Sequence, residues 1–215
     1  MKIYKISIPK SVILITILAV VLNILRVVFW KKWSFFYILW NILLAFIPFF
    51  ISLILLSLQK EGKLNKVIFV TGFILWMIFI PNAPYIITDF IHLGEVRAVP
   101  MIYDTFLIFS SASVGLILCF YSFFHMEQII RTKYSQRKTS LLMGIIILFV
   151  SFGIYLGRFL RFNSWDVFMN HTTLTKNVWG IFSQSTVHTE VYFYTVLFFF
   201  FLYLTYSAWK QANIK

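Results

Sequence analysis

The chain alternates between long apolar stretches and short polar gaps. An α-helix needs about 20 residues to cross about 30 Å of hydrocarbon, and most of the stretches approach or exceed that length. The third has 14 residues before Pro81, or about 21 Å of helix, so it must continue past Pro81 or break inside the bilayer. This pattern predicts an all-α integral membrane protein with six transmembrane helices. The stretches are 11–29, 35–58, 67–80, 103–124, 141–157 and 191–208.

The composition excludes soluble and disulfide-rich classes. Hydrophobic residues make up 60% of the 215 residues and charged residues 12%, against about 45–50% and about 25% in soluble domains. A soluble domain of this size could not cover so much apolar surface. The single cysteine, Cys119, excludes a disulfide scaffold. We find no internal repeat and no low-complexity linker, and therefore predict one polytopic membrane domain over residues 1–215.

The basic residues lie in the gaps between apolar stretches. Although the net charge is +12, this spread is typical of a topology signal and argues against a nucleic-acid partner. The N-terminus, the 59–66 and 125–140 loops and the C-terminus hold 12 Lys and Arg, and the alternate segments hold 7. Because cytoplasmic loops are enriched in Lys and Arg, both termini are predicted to be cytoplasmic. Most acidic and histidine side chains then lie outside.

Two prolines interrupt the third apolar stretch. Pro81 and Pro84 each lack a backbone donor, and each ring clashes with the preceding helical turn. The third helix is therefore predicted to be broken or kinked near these residues. Asn82 can bond backbone groups that the break leaves unpaired.

Three polar side chains follow the second proline at helical spacing. A short outer helix over 85–93 would place Tyr85, Asp89 and His92 at i, i+4 and i+7, along one stripe. A phenol, a carboxylate and an imidazole would then share one surface. The alternative is a short amphipathic helix at the membrane surface with no chemistry.

A second polar segment follows the fifth stretch. Arg158 and Arg161 lie three residues apart on one helical face, at an outer helix end where the positive-inside rule disfavours them. A charge buried in a membrane helix costs about 2.5–3.5 kcal/mol on insertion scales, so the arginines need a partner. Either Asp89, Asp104 or Asp166 neutralises them, or the guanidinium groups bind a phosphate or carboxylate. We expect Asp89 or Asp166 to lie within ion-pair reach of these arginines.

Both polar segments carry long motifs. These are Pro81-Asn82-Ala83-Pro84-Tyr85-x-x-Thr88-Asp89-x-x-His92-Leu93 and Gly157-Arg158-Phe159-Leu160-Arg161-x-Asn163-Ser164-Trp165-Asp166. Together with residues 41–48, they resemble the signatures of an uncharacterised bacterial membrane-protein family, domain of unknown function thirteen sixty-one. Phe162 stands where that family has Trp. The resemblance covers about residues 35–170 and implies a multi-pass protein of the bacterial plasma membrane, without an established activity.

Three functions are compatible with these sequence features. The first is a membrane-embedded enzyme acting on an anionic lipid-linked or envelope substrate, with Asp89 and His92 as base and orienting group or as metal ligands. The second is a transporter or solute-binding component, against which the uniformly apolar inner halves of most stretches argue. The third is a structural or assembly protein. Any cofactor or metal stays unassigned, and the partners expected are the bilayer and an anionic lipid or envelope precursor. The candidate ligand-binding residues are Asn82, Tyr85, Arg158, Arg161, Asn163 and Asp166.

Other polar residues are expected to be structural. Asp104 and Glu190 begin inward-running helices, where a carboxylate complements the helix dipole. His171 and His188 lack metal-binding spacing and are expected on the surface. Asn41 in the second stretch is expected to make an interhelical hydrogen bond.

Overall fold

A computed structural model describes residues 10–95, 98–183 and 189–213. The described part is helical and contains no strand. The helices are α1 (Lys10–Trp30), α2 (Tyr37–Lys60), α3 (Lys66–Phe79), α4 (Asn82–Tyr85), a 3-10 helix (Ile86–His92), α5 (Met101–Arg131), α6 (Gln136–Phe159), α7 (Asp166–Met169), α8 (His171–Ser183) and α9 (Thr189–Asn213).

Six of these segments are long and apolar enough to cross a membrane, which confirms the predicted fold class. They are α1, α2, the 66–92 segment, α5, α6 and α9, with 21 to 31 residues each. Large apolar side chains on these helices face outward; Leu14, Phe106 and Phe193, for example, are all more than 60% exposed. Exposed apolar side chains of this kind can contact lipid, because lipid tails are equally apolar.

The segment between α3 and α5 contains several short helical turns. α3 ends at Phe79, and the backbone N–H of Ala83 donates to the carbonyl of Ile80, three residues back. The expected outer helix over 85–93 forms as a 3-10 helix from Ile86 to His92. Its repeat is three residues per turn, so Asp89 and His92 share a face and Tyr85 does not align with them.

The chain divides into two compact units, Met1–His125 and Met126–Lys215. In the first unit, α2 packs against α3 and α4. Gly115 of α5 makes a close approach possible, because a Cβ there would lie 2.1 Å from the carbonyl oxygen of Ala83 in α4. The proline-containing segment is therefore held against the backbone of α5.

In the second unit, α6 packs along α9. Aromatic rings line this contact: Tyr155 stacks on Phe159 with centroids 4.9 Å apart, and Phe159 lies 4.4 Å from Tyr194. Near the other end of α9, the buried carboxylate of Glu127 accepts a hydrogen bond from Tyr206 Oη at 2.7 Å and pairs with Lys210. This ion pair joins the beginning of the unit to its last helix.

Candidate functional site

Asp89 is the most deeply buried of the predicted site residues. Its side chain, in the 3-10 helix of the first unit, has no exposure to solvent. The amide Nδ2 of Asn41 in α2 lies 3.5 Å from Asp89 Oδ2. Asn41 thus makes the interhelical contact expected of it, and Asp89 is positioned by two elements far apart in the chain.

His92 lies one 3-10 turn after Asp89 and reaches the surface. Its Nδ1 is 2.6 Å from Glu95 Oε1, and its side chain is 32% exposed. The imidazole ring meets Tyr37 of α2 edge-on, with centroids 6.2 Å apart. When Glu95 accepts this hydrogen bond, Nδ1 of the imidazole is the donor, and the neutral ring then has its lone pair on Nε2.

Glu95 was missed by sequence reasoning. The roles of base and orienting group were expected of Asp89 and His92, and Glu95 was given none. A spacing of three residues between His92 and Glu95 was the available signal, since residues three apart are neighbours on one helical turn.

The two other predicted residues of this segment belong to α4. Asn82 begins that helix and Tyr85 ends it, and both are half-buried. The carbonyl of Tyr85 accepts a hydrogen bond from Thr88 Oγ1 at 2.7 Å. This bond links α4 to the 3-10 helix that carries Asp89 and His92.

Arg26 and Asp104 form a buried ion pair in the first unit that sequence reasoning also missed. Arg26 Nε and Nη2 lie 2.7 Å and 3.1 Å from the two oxygens of Asp104. The same guanidinium group donates to the carbonyl of Lys32 and to Ser34 Oγ, and lies 4.2 Å from the Phe35 ring centroid. Asp104 therefore neutralises Arg26, a more specific role than the dipole interaction expected for it. The sequence signal for this pair was Arg26 itself, because a charged residue within an apolar stretch requires a partner.

A chain of buried polar groups lies deeper in the first unit. Trp76 Nε1 donates to Ser122 Oγ at 2.7 Å, and Ser122 Oγ lies 3.0 Å from Ser52 Oγ. Ser52 Oγ is in turn 3.0 Å from Nδ1 of His125, which is almost completely buried. The inner halves of most apolar stretches were expected to be uniformly apolar, and these polar side chains depart from that expectation.

The remaining predicted residues lie in the second unit, after α6. The carboxylate of Asp166 accepts hydrogen bonds from the backbone N–H of Asn163 at 2.7 Å and from Asn170 Nδ2 at 2.8 Å. Both hydrogen bonds lower the pKa of Asp166, and the one from the Asn163 backbone has the larger effect. Asp166 is thus held by its own loop, and its ion pair with Arg158 or Arg161 stays a prediction.

Arg161 has an unusual backbone conformation. Its φ is 57°, in the left-handed region at the position after the α6 C-cap where glycine is the usual residue. Its side chain is exposed, whereas that of Arg158, still within α6, is half-buried. Such strain in a non-glycine residue motivates a functional hypothesis for its side chain.

Metal ligation has no support among the residues that the structure describes. Within these residues, no group of three or more His, Cys, Asp or Glu side chains is arranged to hold an ion. His171 is exposed at the start of α8, as expected. His188 lies outside the described residues.

Comparison with known proteins identifies a family whose model matches more than half of the chain. A family model with the description Protein of unknown function (DUF1361) matches residues 40–205. No curated protein and no solved structure matches the chain. The matched range includes all predicted site residues and excludes Arg26.

Proposed function

The chain belongs to the DUF1361 family, and we propose that this integral membrane protein is an enzyme with an outward-facing polar site at Asp89 and His92. The proposed substrate is an anionic lipid-linked or envelope molecule whose headgroup lies at the membrane surface. The observation that carries this proposal is the 2.6 Å contact between His92 Nδ1 and Glu95, at the end of a membrane-spanning segment.

The pair of side chains suits general acid–base catalysis. A carboxylate on Nδ1 fixes the tautomer and orientation of an imidazole and stabilises the imidazolium that forms when Nε2 takes a proton. His92 would remove a proton from an attacking water or hydroxyl group in this way. Asp89, one turn earlier and fully buried, would position the 3-10 helix through Asn41. Asn82 and Tyr85 would contact the headgroup.

The segment after α6 is our candidate for anion binding. Hydrogen bonds from Asn163 and Asn170 to its Asp166 fix the shape of the loop in which the exposed Arg161 lies. A guanidinium group can bind a phosphate through two parallel hydrogen bonds. The proposed phosphate ligands are therefore Arg158 and Arg161, with Asn163 and Asp166 shaping the loop.

The test is turnover by the purified protein in phosphatidylcholine vesicles. Separate vesicles would carry phosphatidylglycerol, cardiolipin or a polyprenyl diphosphate, and mass spectrometry would detect changed headgroups. Replacing His92 with Gln should lower the rate at least about 100-fold, the range for loss of a general base. Glu95→Gln should lower it less, because the imidazole keeps its position but loses the ionic stabilisation.

His171→Gln provides a matched control, since His171 is an exposed histidine of α8 to which we assign no role. It should leave turnover unchanged. Equal rates in the His92 and His171 variants would contradict the proposal, as would the absence of product from all three lipids.

A transporter is the second candidate, favoured by the buried chain from Trp76 through Ser122 and Ser52 to His125. Linked polar groups inside a membrane helix bundle are a common feature of ion and proton pathways. Proton uptake into vesicles by the wild-type protein, its loss in Ser122→Ala and the absence of lipid turnover would favour this function over the enzyme.

A structural role is favoured by a different observation. Arg26 with Asp104, and Glu127 with Lys210, form internal ion pairs that need no ligand. If His92→Gln changed only the thermal stability of the protein, and neither turnover nor uptake was detected, the polar side chains would be structural.

A further inference from the structure

The turn between α5 and α6 carries a dense group of basic side chains. Four of the eight residues in the 131–138 segment are Lys or Arg, and none is Asp or Glu. We call these four residues the basic turn, and all of them are exposed: Arg131, Lys133, Arg137 and Lys138. Within the described part of the chain, their side chains make no hydrogen bond and no ion pair.

The acidic side chains of the second unit lie elsewhere or are already paired. That unit contains three of them, Glu127, Asp166 and Glu190. Glu127, near the end of α5, accepts a hydrogen bond from Tyr206 and pairs with Lys210. Asp166 follows the far end of α6, and Glu190 begins α9. The basic turn therefore keeps its positive charge within the described part of this unit.

Backbone hydrogen bonds fix the shape of the turn. The N–H groups of Lys133 and Tyr134 both donate to the carbonyl of Ile130, at 3.0 Å and 3.1 Å, and Thr139 N–H donates to the carbonyl of Ser135 at 2.9 Å. Only residues 132–135 separate α5 from α6. The four cations are therefore held close together by the backbone that carries them.

This arrangement is electrostatically unfavourable without an anion. Arg137 and Lys138 lie in the first turn of α6, which contains no acidic residue, although the helix dipole favours anions over cations at this end. Like charges at short separation also repel one another. A bound anion would reduce both penalties, so the turn has a physical reason to bind one.

An exposed apolar stripe of α6 begins one helical turn after Lys138. The residues at i+3, i+7 and i+11 from this lysine share its face of the helix; they are Leu141, Ile145 and Phe149, with exposures of 67%, 44% and 60%. The opposite face is buried and includes Thr139, Met143, Ile146 and Val150. From Lys138 to Phe149 the helix rises about 17 Å, close to the half-thickness of the hydrocarbon core, about 15 Å.

We propose that the basic turn binds the headgroup phosphate of an anionic phospholipid in the adjoining leaflet. One acyl chain of this lipid would lie along Leu141, Ile145 and Phe149. Clusters of basic side chains at the end of a membrane helix attract anionic headgroups, and here the cation and the apolar stripe lie on the same face. The site is separate from the one at Asp89 and His92 and does not depend on the proposed enzyme activity.

A second copy of the chain fits this face less well than a lipid. A two-fold contact through the stripe would place the same surface of both copies together, including both basic turns. Like charges that face one another oppose association. A phospholipid with net negative charge instead complements the turn and offers an apolar chain to the stripe.

Photocrosslinking from the stripe tests the proposal. The full chain, with the photoreactive residue benzoylphenylalanine in place of Leu141, would be reconstituted in vesicles of equal amounts of phosphatidylglycerol and phosphatidylcholine. After illumination, mass spectrometry should detect a clear excess of phosphatidylglycerol adducts. The double variant Arg137→Gln, Lys138→Gln should reduce this excess about fivefold for each basic residue removed, from the attraction of one basic side chain near an anionic surface.

Phe193 provides a matched control position. It is 64% exposed and follows Glu190 of α9 by three residues, the same spacing that separates Leu141 from Lys138. Because the neighbouring charge is negative there, benzoylphenylalanine in place of Phe193 should give no excess of phosphatidylglycerol adducts. The exchange variant Arg137→Lys, Lys138→Arg keeps both charges and should keep the excess at position 141.

Three results would overturn the proposal. The first is an equal yield of the two lipid adducts at position 141 when the basic turn is intact. The second is an unchanged excess in Arg137→Gln, Lys138→Gln; the single variants give the same test if the double variant does not fold. The third is crosslinking between two copies of the chain in place of lipid adducts, which would identify the stripe as an interface between copies.

Discussion

Arg26 and Asp104 form a two-point ion pair from which water is excluded, with side-chain exposures of 1% and 2%. The pair connects the end of α1 to the beginning of α5, and Tyr103 Oη strengthens this connection by donating to the carbonyl of Leu22 at 2.6 Å. Arg26 also donates hydrogen bonds to the segment that follows α1, at the carbonyl of Lys32 and at Ser34 Oγ. The first helix is therefore held by polar contacts at this end, in addition to apolar packing.

Removing one partner of this pair should destabilise the protein strongly. Arg26→Met leaves the Asp104 carboxylate buried without its counter-charge, and breaking such pairs costs about 3–5 kcal/mol. The double variant Arg26→Met, Asp104→Leu should be more stable than either single variant, because no charge is left uncompensated. Thermal unfolding in detergent, analysed as a double-mutant cycle, measures this coupling. Additive losses in the double variant would show that the pair is not coupled.

Gly115→Ala should destabilise the first unit, because the new Cβ would meet a backbone oxygen of Ala83 at 2.1 Å and neither helix can move aside without unpacking. Gly144→Ala in α6 is the matched control, since a Cβ there meets nothing within 4 Å. That control should be neutral or stabilise the protein by up to about 1 kcal/mol, the helical preference for Ala over Gly. Comparison of melting temperatures checks both; equal temperatures for the two variants would contradict the close approach.

The loop around Asp166 should lose order in acid. Hydrogen bonds from Asn163 and Asn170 lower the pKa of Asp166 in the folded protein, so the carboxylate binds protons more weakly than in the unfolded chain. Its stabilising contribution is thus fully present above the ordinary Asp pKa of about 3.9 and is lost as the pH falls through the lower folded value.

Hydrogen exchange of residues 163–170 between pH 6 and pH 3, corrected for intrinsic rates, measures this effect. Asp166→Asn should raise exchange at pH 6 and remove most of the pH dependence. Glu190→Gln, at an exposed position beginning α9, should leave both as in the wild-type protein. An Asp166→Asn variant with the wild-type pH profile would show that another group causes the change.

The charge pattern predicts that Lys176 lies outside the cell and Lys133 inside. Both side chains are exposed, so cysteines at these positions should be reachable by a thiol reagent. In a Cys119→Ala background, a membrane-impermeant reagent should label Lys176→Cys in intact cells and Lys133→Cys only after permeabilisation. The reverse result would invert the topology and place the proposed site in the cytoplasm.

The six spans and the two polar segments follow from the sequence because they depend on local properties. Crossing a membrane requires a sufficient run of apolar residues, and such a run can be counted without knowing its neighbours. Asp89 and His92 could likewise be selected, since each is a titratable side chain next to an apolar stretch. The 3-10 conformation was not foreseen, because α-helical spacing was assumed after Pro84.

Tertiary structure decided which polar groups pair. Arg26 and Asp104 are 78 residues apart, and the sequence offered several carboxylates for each arginine. Choosing among them requires the packing of helices, because charge compensation in a low-dielectric interior depends on distances of a few ångströms. The same holds for Gly115, whose lack of a side chain becomes a requirement only where Ala83 of α4 meets α5.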